Sequence, residues 1–264
     1  MNPILVALPY CKDNAAQAER LLDHIYHIEG KRKQAHHIVI AHHADVHAEM
    51  RQRIRMSAEI AFAGVHVLEI RKLAGDRPFK FQEIYSAFMQ CVQGLNQFTW
   101  PWLYLEPDCS PLKAGWLDAL ATAYANQPKR YLGLELKAMS PDGQSVTHHF
   151  ISRTAIYPAN AVMDLVSPQE QHNLPEHRFN HVIYPKASTT KLIQQARITT
   201  VDDLAKLRPD AVLVHGDKNG LALEQALPPV KPESNGILHI KRRGRPPKVA
   251  VLTTPESTVT GSQL

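Results

Sequence analysis

The chain has no run approaching the ~18 to 20 consecutive apolar residues that a bilayer-spanning helix needs, and no basic segment precedes the short apolar run in its opening MNPILVALPYCKDN. A spanning helix and a secretory leader are therefore not expected; the sequence reads as soluble and cytoplasmic, with no membrane partner. Cysteine is scarce: Cys11, Cys91 and Cys109 are three in number, far apart and without CxxC spacing. That pattern favours neither a disulfide framework nor a thiolate zinc site and fits a reducing compartment. No internal repeat is visible. Most of the chain also lacks net charge. Of the overall +5, residues 229–264 supply +4 (six basic, two acidic), leaving 24 basic and 23 acidic residues in 1–228. Only the tail needs a polyanionic partner to explain its charge.

What is present is enough apolar sequence, 44% of 264 residues, for one substantial core. ILVAL (4–8) is a continuous apolar run of the kind found in a strand buried on both faces, and Pro9 is expected to end it. Ala18, Leu21, Leu22, Ile25 and Ile28 then recur at helical spacing, with Asp13 or Asn14 as N-cap and Gly30 beyond the end. IVIA (38–41), VHVLEI (65–70), WLYL (102–105) and YLGLEL (131–136) read as further strands. A helical stretch reaches about residue 62, and Phe81, Ile84, Tyr85, Phe88, Val92 and Leu95 mark another helix. This alternation predicts an α/β fold with a mainly parallel sheet flanked by helices. Beyond residue 137 the pattern becomes irregular and predicts loops and short antiparallel pieces. DAVLVHGDKNGLALEQAL (210–227) restores a strand, a turn and a short helix. The expected domains are 1–228 and a flexible tail, 229–264.

In such sheets ligands bind beyond the carboxyl ends of the strands. Glu106-Pro107-Asp108 falls there, after an apolar strand, and two carboxylates so placed are costly without a positive partner. Oxygen ligands in this arrangement suit Mg2+ or Mn2+ held together with a diphosphate. The competing reading is a solvated turn, with Asp108 or Ser110 capping the next helix. His215-Gly216-Asp217-Lys218 follows a second apolar strand and offers a metal-ligand type, a permissive glycine and a cation for phosphate. Its competing reading is a strand-to-helix turn.

ALPYCKDN, LYLEPDCSPLKAGW and VLVHGDKNG, in that order, make residues 1–227 resemble GT-A glycosyltransferases of the family 2 type, including phage members. The resemblance implies transfer of a sugar from a nucleotide diphosphate sugar. Pro9, Tyr10 and Asp13 would lie near base and ribose, Asp108 would hold Mn2+ or Mg2+ with Glu106 in support, and His215 and Lys218 would serve metal and diphosphate. Glu106 stands where the family usually has Asp. An inverting enzyme needs a base for the acceptor hydroxyl. Glu176 and His177 are the candidates first in order, with His148 and His149 beside them; most of the fifteen histidines are expected to be solvated or satisfied locally.

The tail segment Lys241-Arg242-Arg243-Gly244-Arg245-Pro246-Pro247-Lys248 resembles the AT-hook. The narrow A·T minor groove draws in arginine, proline keeps the chain extended and glycine allows close approach. Arg243 and Arg245 would enter the groove, Gly244 and Pro246 would shape the core, and Lys241, Arg242 and Lys248 would meet phosphates. Together the two parts imply a metal-dependent transferase tethered to A·T-rich double-stranded DNA in a bacterial or phage-infected cytoplasm, with a modified base as acceptor. Two alternatives stay open: a glycan, protein or small-molecule acceptor, or a non-catalytic DNA-binding accessory protein with a transferase-like body.

Overall fold

The computed structural model describes residues 3–31, 33–71, 80–140, 144–165 and 182–226, all within the compact unit Met1–Pro228. The tail motif and the candidates Glu176 and His177 lie outside the described residues.

The first strand, β1 (Leu5–Tyr10), is buried at every position, which is why its sequence is uninterruptedly apolar. It lies between β2 (Gln34–His43) and β4 (Trp102–Tyr104), parallel to both. Pro9 does not end β1, contrary to expectation, and the parity of the ladder explains why. Leu5 N–H donates to Pro101 O and Leu105 N–H to Ala7 O, so odd-numbered residues turn toward β4. The N–H that Pro9 lacks would face the point where the chain leaves β4, so little ladder bonding is forfeited.

Helix α1 (Ala15–Ile28) buries Ala18, Leu21, Leu22 and Ile25, one stripe at spacings of three and four. Asn14 is its N-cap residue, although the Asn14 side chain accepts from Cys11 N–H rather than from the helix. Helix α2 (Ala48–Ala61) leads to β3 (Phe62–Ile70), and α3 (Lys80–Leu95) leads to β4. There follow β5 (Cys109–Pro111), α4 (Trp116–Ala125), β6 (Tyr131–Met139), β7 (Val146–Tyr157), a 3-10 turn (Tyr184–Lys186), β8 (Ala187–Thr189), β9 (Ile193–Gln195), β10 (Leu213–His215) and a last helix, Leu221–Ala226.

The main sheet has the order β3-β2-β1-β4-β7-β6-β8 and a second sheet the order β5-β10-β9. In the main sheet β7 alone runs against its neighbours. The mainly parallel α/β sheet is therefore as expected; beyond residue 137 β8 and β9 are short, but the expectation of only short antiparallel pieces is corrected at β7. VTHHFISRTAIY forms a twelve-residue strand inside the sheet. Its first four residues are exposed, and the apolar remainder is interrupted by Arg153 and Thr154, so neither a helix nor a strand period survives over the whole segment. Against β6 the register jumps from Gly133↔Ala155 to Glu135↔Ile151, a bulge that leaves two extra residues on β7.

One core layer packs α1, α2 and α4 on the sheet; the other packs Phe88, Cys91, Val92 and Leu95 of α3 against Trp102, Tyr104 and Tyr157. Trp102 and Tyr157 stack at 4.3 Å with rings 13° apart. Truncating a fully buried Trp of this kind to Ala costs about 3–5 kcal/mol.

Candidate functional site: a carboxylate crevice beyond β4

The small second sheet assembles the site. His215 ends β10 and stands opposite Cys109 of β5 on one side and Gln195 of β9 on the other. Gly216 follows at φ 105°, and a Cβ there would lie 2.5 Å from Ala196 O, so only glycine lets the strand turn here. The N–H groups of Gly216 and Asp217 donate to Asp108 O at 3.1 and 2.9 Å, pinning the two motifs together across more than a hundred residues of sequence. Asp217 is buried and structural: it accepts from Ser110 Oγ at 2.7 Å and from the N–H groups of Leu221 and Ala222, both at 2.9 Å, starting the last helix.

Three acceptor groups converge. His215 Nε2 lies 3.2 Å from Glu106 Oε2 and 3.3 Å from Asp108 Oδ1, with all three side chains 15–22% exposed. His215 Nδ1 is 2.7 Å from Gln195 Oε1. An amide oxygen only accepts, so Nδ1 carries a hydrogen and a neutral ring would aim its Nε2 lone pair at two carboxylates. That geometry calls for a proton or a metal ion at Nε2. Burial by itself would lower the His215 pKa, but the Asp108 hydrogen bond and the charges of Glu106 and Asp108 outweigh it and hold the pKa above its ordinary value. For Asp108 burial acts upward and is outweighed by His215, with a further contribution from Lys218, so its pKa is lowered.

Glu106 has a second cationic partner that sequence reasoning missed. Arg153 Nη2 donates to Glu106 Oε1 at 3.0 Å, and Thr154 Oγ1 donates to Oε2 at 3.4 Å. Both come from the β7 bulge, which turns them to the carboxyl end of β4. The available signal was Ser-Arg-Thr in mid-strand, where the apolar alternation of FISRTAIY breaks. Glu106-Pro107-Asp108 caps no helix: α4 starts later, from Gly115.

Ligand atoms of Asp108, Cys109 and His215 lie within 4.8 Å of one another. Cys109 fits the set poorly, because its thiol is fully buried, approaches Thr154 Oγ1 at 3.7 Å, and is pushed well above its ordinary pKa by that burial. Asp108 and His215, with Glu106 behind them, form an oxygen and imidazole donor set able to hold a divalent metal ion.

The other expected site residues fall as follows. Pro9 and Tyr10 are buried at the end of β1, and Tyr10 OH has no partner among the described residues; burial raises its pKa to about 12. Asp13 and Lys218 are exposed, and Gln17 Nε2 of α1 donates to Lys218 O, which ties the loop to α1 through its main chain. Two surface cavities, about 330 Å3 beside Tyr26 and Met56 and about 400 Å3 beside Lys129 and Tyr184, contain none of Glu106, Asp108 or His215. Convergent charge, not cavity size, locates this site.

No family model matches the chain, and no curated protein does. Among solved structures, the apo WbbM bifunctional glycosyltransferase superposes with a TM-score of 0.55 at 9% identity, over 81% of this chain and 45% of that one. This chain thus spans less than half of WbbM. The galactosyltransferase LgtC, in complex with donor and acceptor sugar analogs, gives 0.46 at 9% identity over 84% and 94% of the two chains. Mouse xyloside xylosyltransferase 1 gives 0.49 at 11% identity over 83% and 99%. With its strand order, its single reversed strand and the WbbM superposition, the described body has the GT-A glycosyltransferase fold.

Proposed function

We propose that this protein is a metal-dependent glycosyltransferase that moves a sugar from a nucleotide diphosphate sugar to an acceptor hydroxyl. The observation that carries the reading is the convergence of Glu106, Asp108 and His215 Nε2 beyond the carboxyl ends of parallel strands, three acceptors around a point that needs a cation. Asp108 and His215 would hold Mn2+ or Mg2+, which would supply charge stabilisation for the departing diphosphate. Gln195 orients the imidazole, and Arg153 and Thr154 hold Glu106 as a fixed negative wall. Lys218, two residues beyond the Gly216 turn, would meet the phosphates. The position of the β1–α1 loop supports Asp13 as a contact for base or ribose, while buried Pro9 and Tyr10 shape that end of the crevice.

The acceptor in this reading is a modified base in DNA, supported by the AT-hook-like 241–248, which tethers substrate and raises its local concentration. The base would leave the stack to reach the crevice. The test is a thermal-stability panel of nucleoside diphosphates and nucleotide sugars, each with and without Mn2+, since a ligand of the native state raises the melting temperature. A metal-dependent rise with one nucleotide is expected; no rise with any of them removes the transferase reading. For the tail, Arg245→Ala is expected to weaken binding to A·T-rich duplex and reduce the salt slope by about one phosphate contact at most. Equal binding by the variant removes the hook, and unchanged turnover after deletion of 229–264 shifts the acceptor to a glycan, protein or small molecule.

A further inference from the structure

A second group of titratable side chains stands on the β6–β7 ribbon, outside the crevice. Glu135 Oε1 lies 2.5 Å from His149 Nδ1 and accepts from Tyr184 OH at 2.9 Å. The His149 and Tyr184 rings stack with centroids 5.8 Å apart and planes 30° apart. A carboxylate only accepts, so Glu135 fixes the Nδ1–H tautomer. The lone pair is left on Nε2, which has no partner among the described residues, on a side chain 41% exposed. An ion pair this exposed contributes little to folding, so stability does not account for a ring held from two sides.

The register puts this group on the ligand side of the sheet. β7 is antiparallel to β4, so residues preceding Arg153 extend beyond the carboxyl end of β4, the direction of the crevice. Arg153 grips Glu106, and His149 lies four residues further on, at most roughly 13 Å along the strand at about 3.3 Å per residue. Glu135 stands opposite Ile151 and Lys137 opposite His149, so these side chains share one face, the face that buries Ile151 with Tyr104 and Tyr157.

We propose that His149 is the general base for the acceptor hydroxyl, with Glu135 and Tyr184 as its positioning residues; this rests on the glycosyltransferase reading of the crevice. His149 Nε2 takes the hydroxyl proton as the acceptor oxygen bonds to the anomeric carbon. The bond from that carbon to the diphosphate oxygen breaks, and its electron pair leaves with the phosphate. Glu135 stabilises the imidazolium that results. Among the described residues, the charged and titratable groups beside the ring are Glu135 and Lys137 from β6 and Tyr184 from the 3-10 turn, while His148 of β7 turns to the other face.

Water can serve as the acceptor in the test. Full-length protein with Mn2+ is given UDP-, GDP- and dTDP-sugars, and both the melting-temperature rise and nucleoside diphosphate release are followed from pH 5 to 9. His149→Gln is expected to keep the Mn2+-dependent rise, to slow release by about 10²- to 10⁴-fold and to erase the acidic limb of the pH profile. Glu135→Gln is expected to slow release while keeping the Mn2+-dependent rise, and Glu135→Asp to recover part of the release, because a carboxylate there still holds the Nδ1–H tautomer; a merely structural partner would leave release unchanged. Release and acidic limb unchanged in His149→Gln overturn this assignment and leave the transferase reading standing, as does loss of the melting-temperature rise in that variant. If the wild type shows neither rise nor release, the transferase reading fails and this assignment fails with it.

Discussion

His215 and His36 each place Nε2 beside an aspartate, at 3.3 Å from Asp108 and 3.0 Å from Asp118, yet the pKa of one is raised and that of the other lowered. The opposite ring nitrogen accounts for much of the difference. His36 Nδ1 accepts the Ile4 backbone N–H at 3.0 Å, so protonating that nitrogen would break a buried bond. His215 Nδ1 faces an amide oxygen, and its Nε2 faces two carboxylates. For His36 burial is the largest influence and outweighs Asp118, whose side chain is 54% exposed and screened by water. A neutral histidine at the foot of β2 is therefore a strut, and a histidine surrounded by acceptors beyond β10 is a place for a cation.

The largest effect that could break this contrast is on the crevice side. Asp108→Asn is expected to abolish the Mn2+-dependent rise in melting temperature and to lower turnover by about 10²- to 10³-fold, as removal of one transition-state stabiliser does. The fold should persist, because the motif is pinned through the main-chain oxygen of Asp108. Preserved metal-dependent binding would return Glu106-Pro107-Asp108 to the status of a turn.

Next is Arg153→Met, which leaves Glu106, 15% exposed, without its guanidinium. With Arg153 itself 33% exposed, the screened cost is about 1–3 kcal/mol in urea unfolding. Adding Glu106→Gln should recover part of it, a coupling readable in a double-mutant cycle. Full additivity would mean that the pair is incidental.

The strut side makes the smallest prediction. His24 and His36 both have lowered pKa values, burial being the first cause in each. Depressed histidines favour the neutral folded form, so their contribution is complete above the unfolded pKa of about 6.5 and is lost as pH falls below it. Each should cost up to about 1.4 kcal/mol per pH unit in that window, seen by urea unfolding at pH 8 and pH 5.5. His36→Asn should flatten the dependence, and an unchanged slope would remove His36 from the set.

Much of the first half of the body was legible because β1, β4 and the second half of β2 are buried on both faces and read as apolar runs, while α1 and α3 show a helical stripe. Glu106, Asp108 and His215 were legible one motif at a time, each following such a run. Their shared point was expected from the order of the motifs and from the resemblance but could not be read from any period, since it depends on β5 and β10, three residues each. Arg153 was hidden for a related reason: a bulge changes which face a residue takes without altering composition. Pro9 misled because a missing N–H matters only on the side where a partner strand continues.

By itself the sequence determined the α/β class, the places of the early strands along the chain, the separation of a nearly neutral body from a basic tail and the residue types able to hold a cation, since burial periodicity and charge are local properties of the chain. Tertiary structure alone decided which ones meet: the register of β10 between β5 and β9 brings His215 to Asp108, and the β7 bulge brings Arg153 to Glu106. Register is a long-range choice made by packing both faces of the sheet, and no local stretch of residues encodes it.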